Sequence, residues 1–181
     1  MSEIGLRAAL HDLENRLQGM AVIHTMLSTA QWNPLPLREL VTQVVNAALS
    51  GSSGVHLIHV TVDAPDGPWL IVPEQATALA LILNELAMNS VKYAFRDRSE
   101  SRLVVRLRVE GEGGLADRPR VRLEYHDDGP GWPDAVLRGQ AKALGLRLIE
   151  ATVRSPLRGQ LTLRNDRGAL AELTFNLALP D

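Results

Sequence analysis

Three short stretches hold residue types whose spacing could do chemistry. In the first, Glu85, Asn89, Lys92 and Arg96 recur at steps of 4, 3 and 4, one face of a helix. Asparagine is a poor choice for a mere solvated face, because its helix propensity is low. Its side-chain oxygen suits Mg²⁺, which takes oxygen ligands and is usually shared with substrate phosphates. Lys92, one turn on, is placed to meet a phosphate. In the second stretch, His126-Asp127-Asp128-Gly129-Pro130-Gly131 runs from a strand pattern into a turn. A carboxylate there can accept a hydrogen bond from an exocyclic amine, and the glycines let a backbone approach a ligand closely. In the third, Ala143-Leu144-Gly145-Leu146 puts Gly145 at a helix start, where backbone N–H groups favour phosphate. Taken singly, the three also describe a solvated face, a tight turn and an ordinary helix start.

The elements that must position these residues follow from hydrophobic pattern. Residues 3–30 lack proline, and Leu6, Leu10, Leu13, Leu17, Met20, His24 and Leu27 form a 4-3 seam of the bundle type. Such a seam needs a partner helix, and no other helix of that length is evident, which predicts self-association. The alternative is that the helix folds back on the next domain. Trp32-Asn33-Pro34-Leu35-Pro36 ends it. A second helix is predicted from about Leu37 to Leu49, and short strands at Val55–Val62 and Trp69–Val72. Pro73 opens a long apolar helix reaching about Phe95, proline being suited to the first turn. Alternation predicts strands at Arg102–Glu110 and Val121–Tyr125, joined by a Gly/Asp/Pro-rich loop. A helix at Leu144–Arg154 and strands at Leu161–Leu163 and Leu173–Leu177 close the chain. The pattern predicts an α+β fold: an N-terminal bundle-forming helix, then an α/β sandwich with a mixed sheet and helices on one face.

Composition removes several function classes. The 181 residues are 45% apolar and 22% charged, ordinary for a globular protein. No cysteine is present, which excludes disulfides and thiolate metal sites. The net charge of −2 and the few aromatics (three Trp, two Tyr, two Phe) give no footprint for nucleic acid. No apolar run approaches a membrane span, and no secretory signal is visible, so membrane insertion is not expected and the predicted location is cytoplasmic. His56 and His59, three apart in a strand pattern, point to opposite faces and make a poor metal pair.

Together and in this order the three stretches are specific. Asn84-Glu85-Leu86-Ala87-Met88-Asn89-Ser90-Val91-Lys92-Tyr93-Ala94-Phe95 resembles the asparagine-bearing helix of the Bergerat-fold (GHKL) ATPases. It is close to the histidine kinase pattern N-E-L-x-x-N-A-x-K-Y-A-F. Asp127-x-Gly129-x-Gly131 resembles the adenine-side turn of that family, and Leu144-Gly145-Leu146-Arg147-Leu148-Ile149 its second glycine motif. The resemblance implies an ATP-binding catalytic domain over 34–181 and a helical dimerisation or phosphoacceptor-like segment over 1–33. It implies that Asn89 holds Mg²⁺ between the phosphates of ATP, with Glu85 near the transferred phosphate. Lys92 would contact phosphate, Tyr93 would line the nucleotide pocket and Asp127 would accept from the adenine amino group. Gly129 and Gly131 would shape the pocket wall, and Gly145, with Leu146 beside it, the lid hinge. Two positions depart from the pattern. Ala143 stands where the lid motif usually has glycine. Gly168-Ala169 replaces a Gly-Thr whose hydroxyl supports the adenine-binding carboxylate, which implies weaker adenine binding.

The N-terminal segment aligns in two ways. His11-Asp12-Leu13-Glu14-Asn15-Arg16-Leu17-Gln18 resembles the phosphoacceptor box H-R-x-K-N-x-L-Q of the HWE-like histidine kinases. His11 would then take the phosphate, and Asp12 would accept its proton and keep the imidazole nucleophilic. In the other register, Asn15 to Trp32 resembles the second helix of the dimerisation hairpin and His24 is a bundle residue, buried in a core. The implied function is ATP-dependent phosphorylation of a histidine and relay to a response regulator receiver domain, with a separate sensor protein or domain and a homodimer through the N-terminal helix. Two other classes stay open: a binding or phosphotransfer module with a degenerate ATP site, and a serine kinase of the anti-sigma type.

Overall fold

The computed structural model describes residues 19–50, 57–67, 69–111, 118–140 and 144–178. His11 and Asp12, the seam leucines up to Leu17, and Ala143 lie outside the described residues. The described chain begins in helix α1 (19–29). It continues through β1 (Leu35–Pro36), α2 (Leu37–Ser50), β2 (Leu57–Asp63), β3 (Leu70–Ile71) and α3 (Pro73–Asn89). Then come β4 (Glu100–Glu110), β5 (Arg120–Asp127), the short α4 (Asp134–Leu137), α5 (Leu144–Arg154), β6 (Gln160–Asn165) and β7 (Ala169–Asn176).

Five strands form a mixed sheet in the order β2-β4-β5-β7-β6, with β2 parallel to β4 and the other pairs antiparallel. Side chains alternate across the pleat. Leu103, Val105 and Leu107 of β4 and Val121, Leu123 and Tyr125 of β5 are buried beneath the helices. The opposite face carries cross-strand ion pairs, Arg108–Asp63 at 2.8 Å and Arg122–Glu172 at 2.7 Å. Helix α2 buries Leu37, Leu40, Val41, Val44 and Val45 at helical spacing. Helix α3 is buried along nearly its whole length, because α2 and α5 flank it. This is the α+β sandwich with helices on one face that the pattern predicts.

Three features differ from the sequence reading. Leu35 and Pro36 pair with Leu70 and Ile71 as a two-stranded ribbon, a contact between segments too short to show periodicity. Helix α3 stops at Asn89 and passes into a π-helical turn over Ser90–Ala94. Helix α1 does not present the seam as one face: Ile23 and Leu27 join the main core, while Met20 and His24 face outward. For these residues the helix folds back on the following unit. His24 is therefore not a core histidine; its ring stands edge-on to the exposed Trp32 at 6.0 Å. The helix is apolar on two sides, and Gly19 selects the inner one. A Cβ at Gly19 would lie 2.3 Å from the Asn84 side-chain oxygen, so glycine lets α1 approach α3 closely. The buried Asn84 amide has no hydrogen-bond partner there, a weak point in the contact.

Candidate functional site

A cavity of about 490 Å³ opens between the end of α3 and the end of β5, within the range that holds a small-molecule ligand. Leu86, Asn89, Ser90, Tyr93 and Ala94 line it from α3 and the π-helical turn. These positions are neighbours on one helical face. Tyr125 and Asp127 come from β5, Pro130 to Pro133 from the turn after it, Leu146 from α5 and Ala169 from β7. The π-helical turn closes with Phe95 N–H donating to Ser90 O at 2.9 Å. Such turns recur at functional sites because they shift side chains off the α-helical register.

Asp127 is the best-held group in the cavity. It is 5% exposed. Its Oδ2 accepts from the Ser90 hydroxyl at 2.7 Å, and its Oδ1 accepts from Gly129 N–H at 3.0 Å and Ala169 N–H at 3.3 Å. The Tyr125 hydroxyl donates in turn to Ser90 Oγ at 3.2 Å. Burial pushes the Tyr125 phenol far above its ordinary value, so it remains protonated and a donor. Gly129 packs on the π-helical turn, where a Cβ would lie 2.4 Å from the Cβ of Ala94.

The turn after β5 is held from the far side of the sheet. Asn165, at the end of β6, accepts from Trp132 N–H at 2.7 Å and donates to Trp132 O at 3.0 Å. The Trp132 indole donates to Leu170 O at 3.1 Å. Gly131, at φ +88°, makes the bend that brings Trp132 to Asn165.

Arg98 clamps the back of the same turn. Its two terminal nitrogens donate to the two carboxylate oxygens of Asp128 at 2.8 and 2.9 Å, and one reaches Asp128 O at 3.0 Å. Partial burial pushes the Asp128 carboxyl up. Hydrogen bonds from Arg98 and the Arg102 backbone, with the guanidinium charge, outweigh that and hold it below the usual carboxylate range. A depressed folded-state pKa gives stability that is present above the unfolded value and lost as pH falls through the folded one. Both side chains are about a third exposed, so screening keeps the pair to about 1 kcal/mol. Arg98→Ala is expected to lower the melting temperature at pH 7. The gap from wild type should close as pH falls below about 3.9, read from melting curves across pH 2.5–7. A gap independent of pH would remove the ion pair as its cause.

The structure brings Asn89, Tyr93, Asp127, Gly131 and Leu146 to one cavity, although Tyr93 is 66% exposed at its mouth. Gly129 lies beneath the wall and Gly145 is buried in the first turn of α5. Glu85 is buried within α3 and Lys92 is half-buried within the π-helical turn; neither lines the cavity. Arg96 is exposed. Ser90, Tyr125, Trp132 and Asn165 were not among the predicted residues. A serine directly after Asn89 is the one local signal; the rest depends on contacts 33 to 42 residues apart. Among the described residues no cluster of three or more His, Asp or Glu could hold a metal alone, and no helix is long and apolar enough to cross a membrane.

No protein-family model matches the chain. It is similar to the sensor histidine kinase PdtaS of Mycobacterium tuberculosis, 26% identical over 161 residues, covering 89% of this chain and 30% of that protein. It is also similar to a blue-light-activated histidine kinase of Rhizobium johnstonii, 23% identical over 169 residues, covering 93% of this chain and 44% of that protein. The chain thus spans less than half the length of these curated relatives. Among solved structures, the histidine kinase domain of the Erythrobacter litoralis EL346 blue-light activated histidine kinase superposes with a TM-score of 0.72 at 19% identity, covering 92% of this chain and 75% of that one. With the asparagine-bearing helix, the aspartate at the strand end and the sheet order in view, the chain resembles the histidine kinases in sequence and carries the Bergerat-type α+β sandwich of their catalytic domains.

Proposed function

We propose that the chain binds Mg²⁺–ATP in the cavity between α3 and β5 and phosphorylates a histidine, with relay to the aspartate of a response regulator receiver domain. The observation that carries this reading is the shared cavity of Asn89 and Asp127. A carboxylate has about four acceptor sites, and Asp127 uses three on the protein, which leaves one for an exocyclic amine. Asn89 supplies a single side-chain oxygen to the same space, which suits a magnesium ion that takes its other ligands from phosphates and water. When bound, magnesium supplies charge neutralisation to the phosphates.

In this reading a ring nitrogen of His11 attacks the γ-phosphorus, the bond to the bridging oxygen breaks, ADP leaves and the ring proton passes to Asp12. The catalytic unit would span 34–181 and the helical segment 1–33. Met20 and His24, the outward members of the predicted seam, would contribute to pairing two copies. A separate sensor protein or domain would supply the signal, in the cytoplasm.

The test is incubation of wild type and His11→Ala with γ-labelled ATP and Mg²⁺, followed by acid or base treatment. Acid-labile, base-stable label in wild type alone is the expected result. Acid-stable label would overturn the reading in favour of a serine kinase. Absence of both label and nucleotide binding would leave a degenerate module.

A further inference from the structure

Asp127 is held asymmetrically. Oδ1 rests on two backbone N–H groups, whereas Oδ2 takes its one protein hydrogen bond from Ser90, at 2.7 Å. Ser90 is 1% exposed and Tyr125 2%, so water does not substitute easily for either hydroxyl. A hydroxyl has one proton to give. Since Tyr125 donates to Ser90 Oγ, the Ser90 proton is committed to Asp127. The chain of donors thus runs one way, from phenol to serine to carboxylate. It ends on an acceptor whose remaining lone pair can meet only another donor.

We infer that the Tyr125–Ser90 hydroxyl pair is a positioning device that fixes the Asp127 carboxylate to recognise a base carrying an exocyclic amine, doing from the π-helical turn and β5 what the side chain at Ala169 cannot. The inference rests on the nucleotide-binding reading above and deepens it. Ala169 still contributes, but through its backbone N–H. Ser90 directly follows Asn89, so the residue that steadies the base side is covalently joined to the one proposed for the metal. The expectation of weak adenine binding, drawn from Ala169 alone, is then reversed: the missing hydroxyl has a replacement on the other wall.

Discrimination between two purines separates positioning from general damage. Titration calorimetry on the whole chain would compare ADP with inosine diphosphate, which has a 6-oxo group in place of the amine, for wild type, Ser90→Ala and Tyr125→Phe. Wild type is expected to prefer ADP. Ser90→Ala should weaken ADP about tenfold, the worth of one hydrogen bond to a charged group, and inosine diphosphate by less than about twofold. Tyr125→Phe, which keeps the ring and the packing, should weaken ADP about threefold with the same selectivity. Equal losses for both nucleotides, or an unchanged ADP affinity in Ser90→Ala, would overturn the inference while leaving nucleotide binding intact. Wild type that binds neither nucleotide would overturn the nucleotide reading and this inference with it.

Discussion

Replacing Asn89 with alanine is expected to abolish the Mg²⁺ dependence of nucleotide binding and to lower histidine labelling about a thousandfold or more. The magnitude follows from the work asked of a bound cation, several kcal/mol of charge stabilisation on the transferring phosphoryl group. Asn89 is the cavity-lining residue of α3 with a side-chain amide oxygen, and losing that oxygen leaves the proposed metal without its helical ligand. The fold should survive, because the residue is half-buried at the helix end and alanine is the better helix former. The measurement is ADP affinity with and without Mg²⁺ in both proteins, beside a melting curve. If Mg²⁺ still tightens ADP in the variant as in wild type, Asn89 has no part in the metal site.

The second large effect is structural. Gly168→Ala is expected to cost about 3 kcal/mol or more of stability and to weaken ADP in whatever fraction remains folded. Gly168 sits at φ +147°, a region essentially reserved for glycine. A Cβ there would lie 1.9 Å from the Asp127 carbonyl oxygen and 3.0 Å from the Asp128 Cα. Both neighbours are backbone, so no side chain can swing aside. The same glycine delivers the Ala169 N–H to the Asp127 carboxylate. Gly139 is the matched control: its φ is +69° with nothing within 4 Å of an added Cβ. Gly139→Ala should therefore cost only about 1 kcal/mol. Chemical denaturation of the two variants side by side checks the difference, and equal costs would refute the steric account.

The parts of this molecule that sequence reveals are those written in local pattern. Pro73, the apolar run after it and the Asn89 face announce α3, and the alternation through Leu103–Val109 and Val121–Tyr125 announces the central strands. The carboxylate at Asp127 is legible because a strand pattern runs directly into glycines. What joins these pieces is not local. Nothing near Ser90 in the chain indicates that Asp127, 37 residues on, will accept its proton, and Asn165 gives no sign that it will hold Trp132. The π-helical turn has no composition of its own. Helix α1 shows a different limit: Ile23 and Leu27 face the core while Met20 and His24 do not. Periodicity identifies apolar faces and cannot rank two of them.

The cavity walls come from α3, β5, the turn after it, α5 and β7, so the cavity exists only once the whole sheet and its helical cover have assembled. An unfolded or half-folded chain has no equivalent surface to offer a nucleotide. Ligand binding and folding are for that reason thermodynamically linked. Whatever fills the space raises the unfolding free energy by RT ln(1 + [L]/Kd), about 2.7 kcal/mol at a hundredfold excess over Kd. A rising melting temperature is then a label-free binding isotherm, and compounds can be ranked by heat before any phosphate is seen to move.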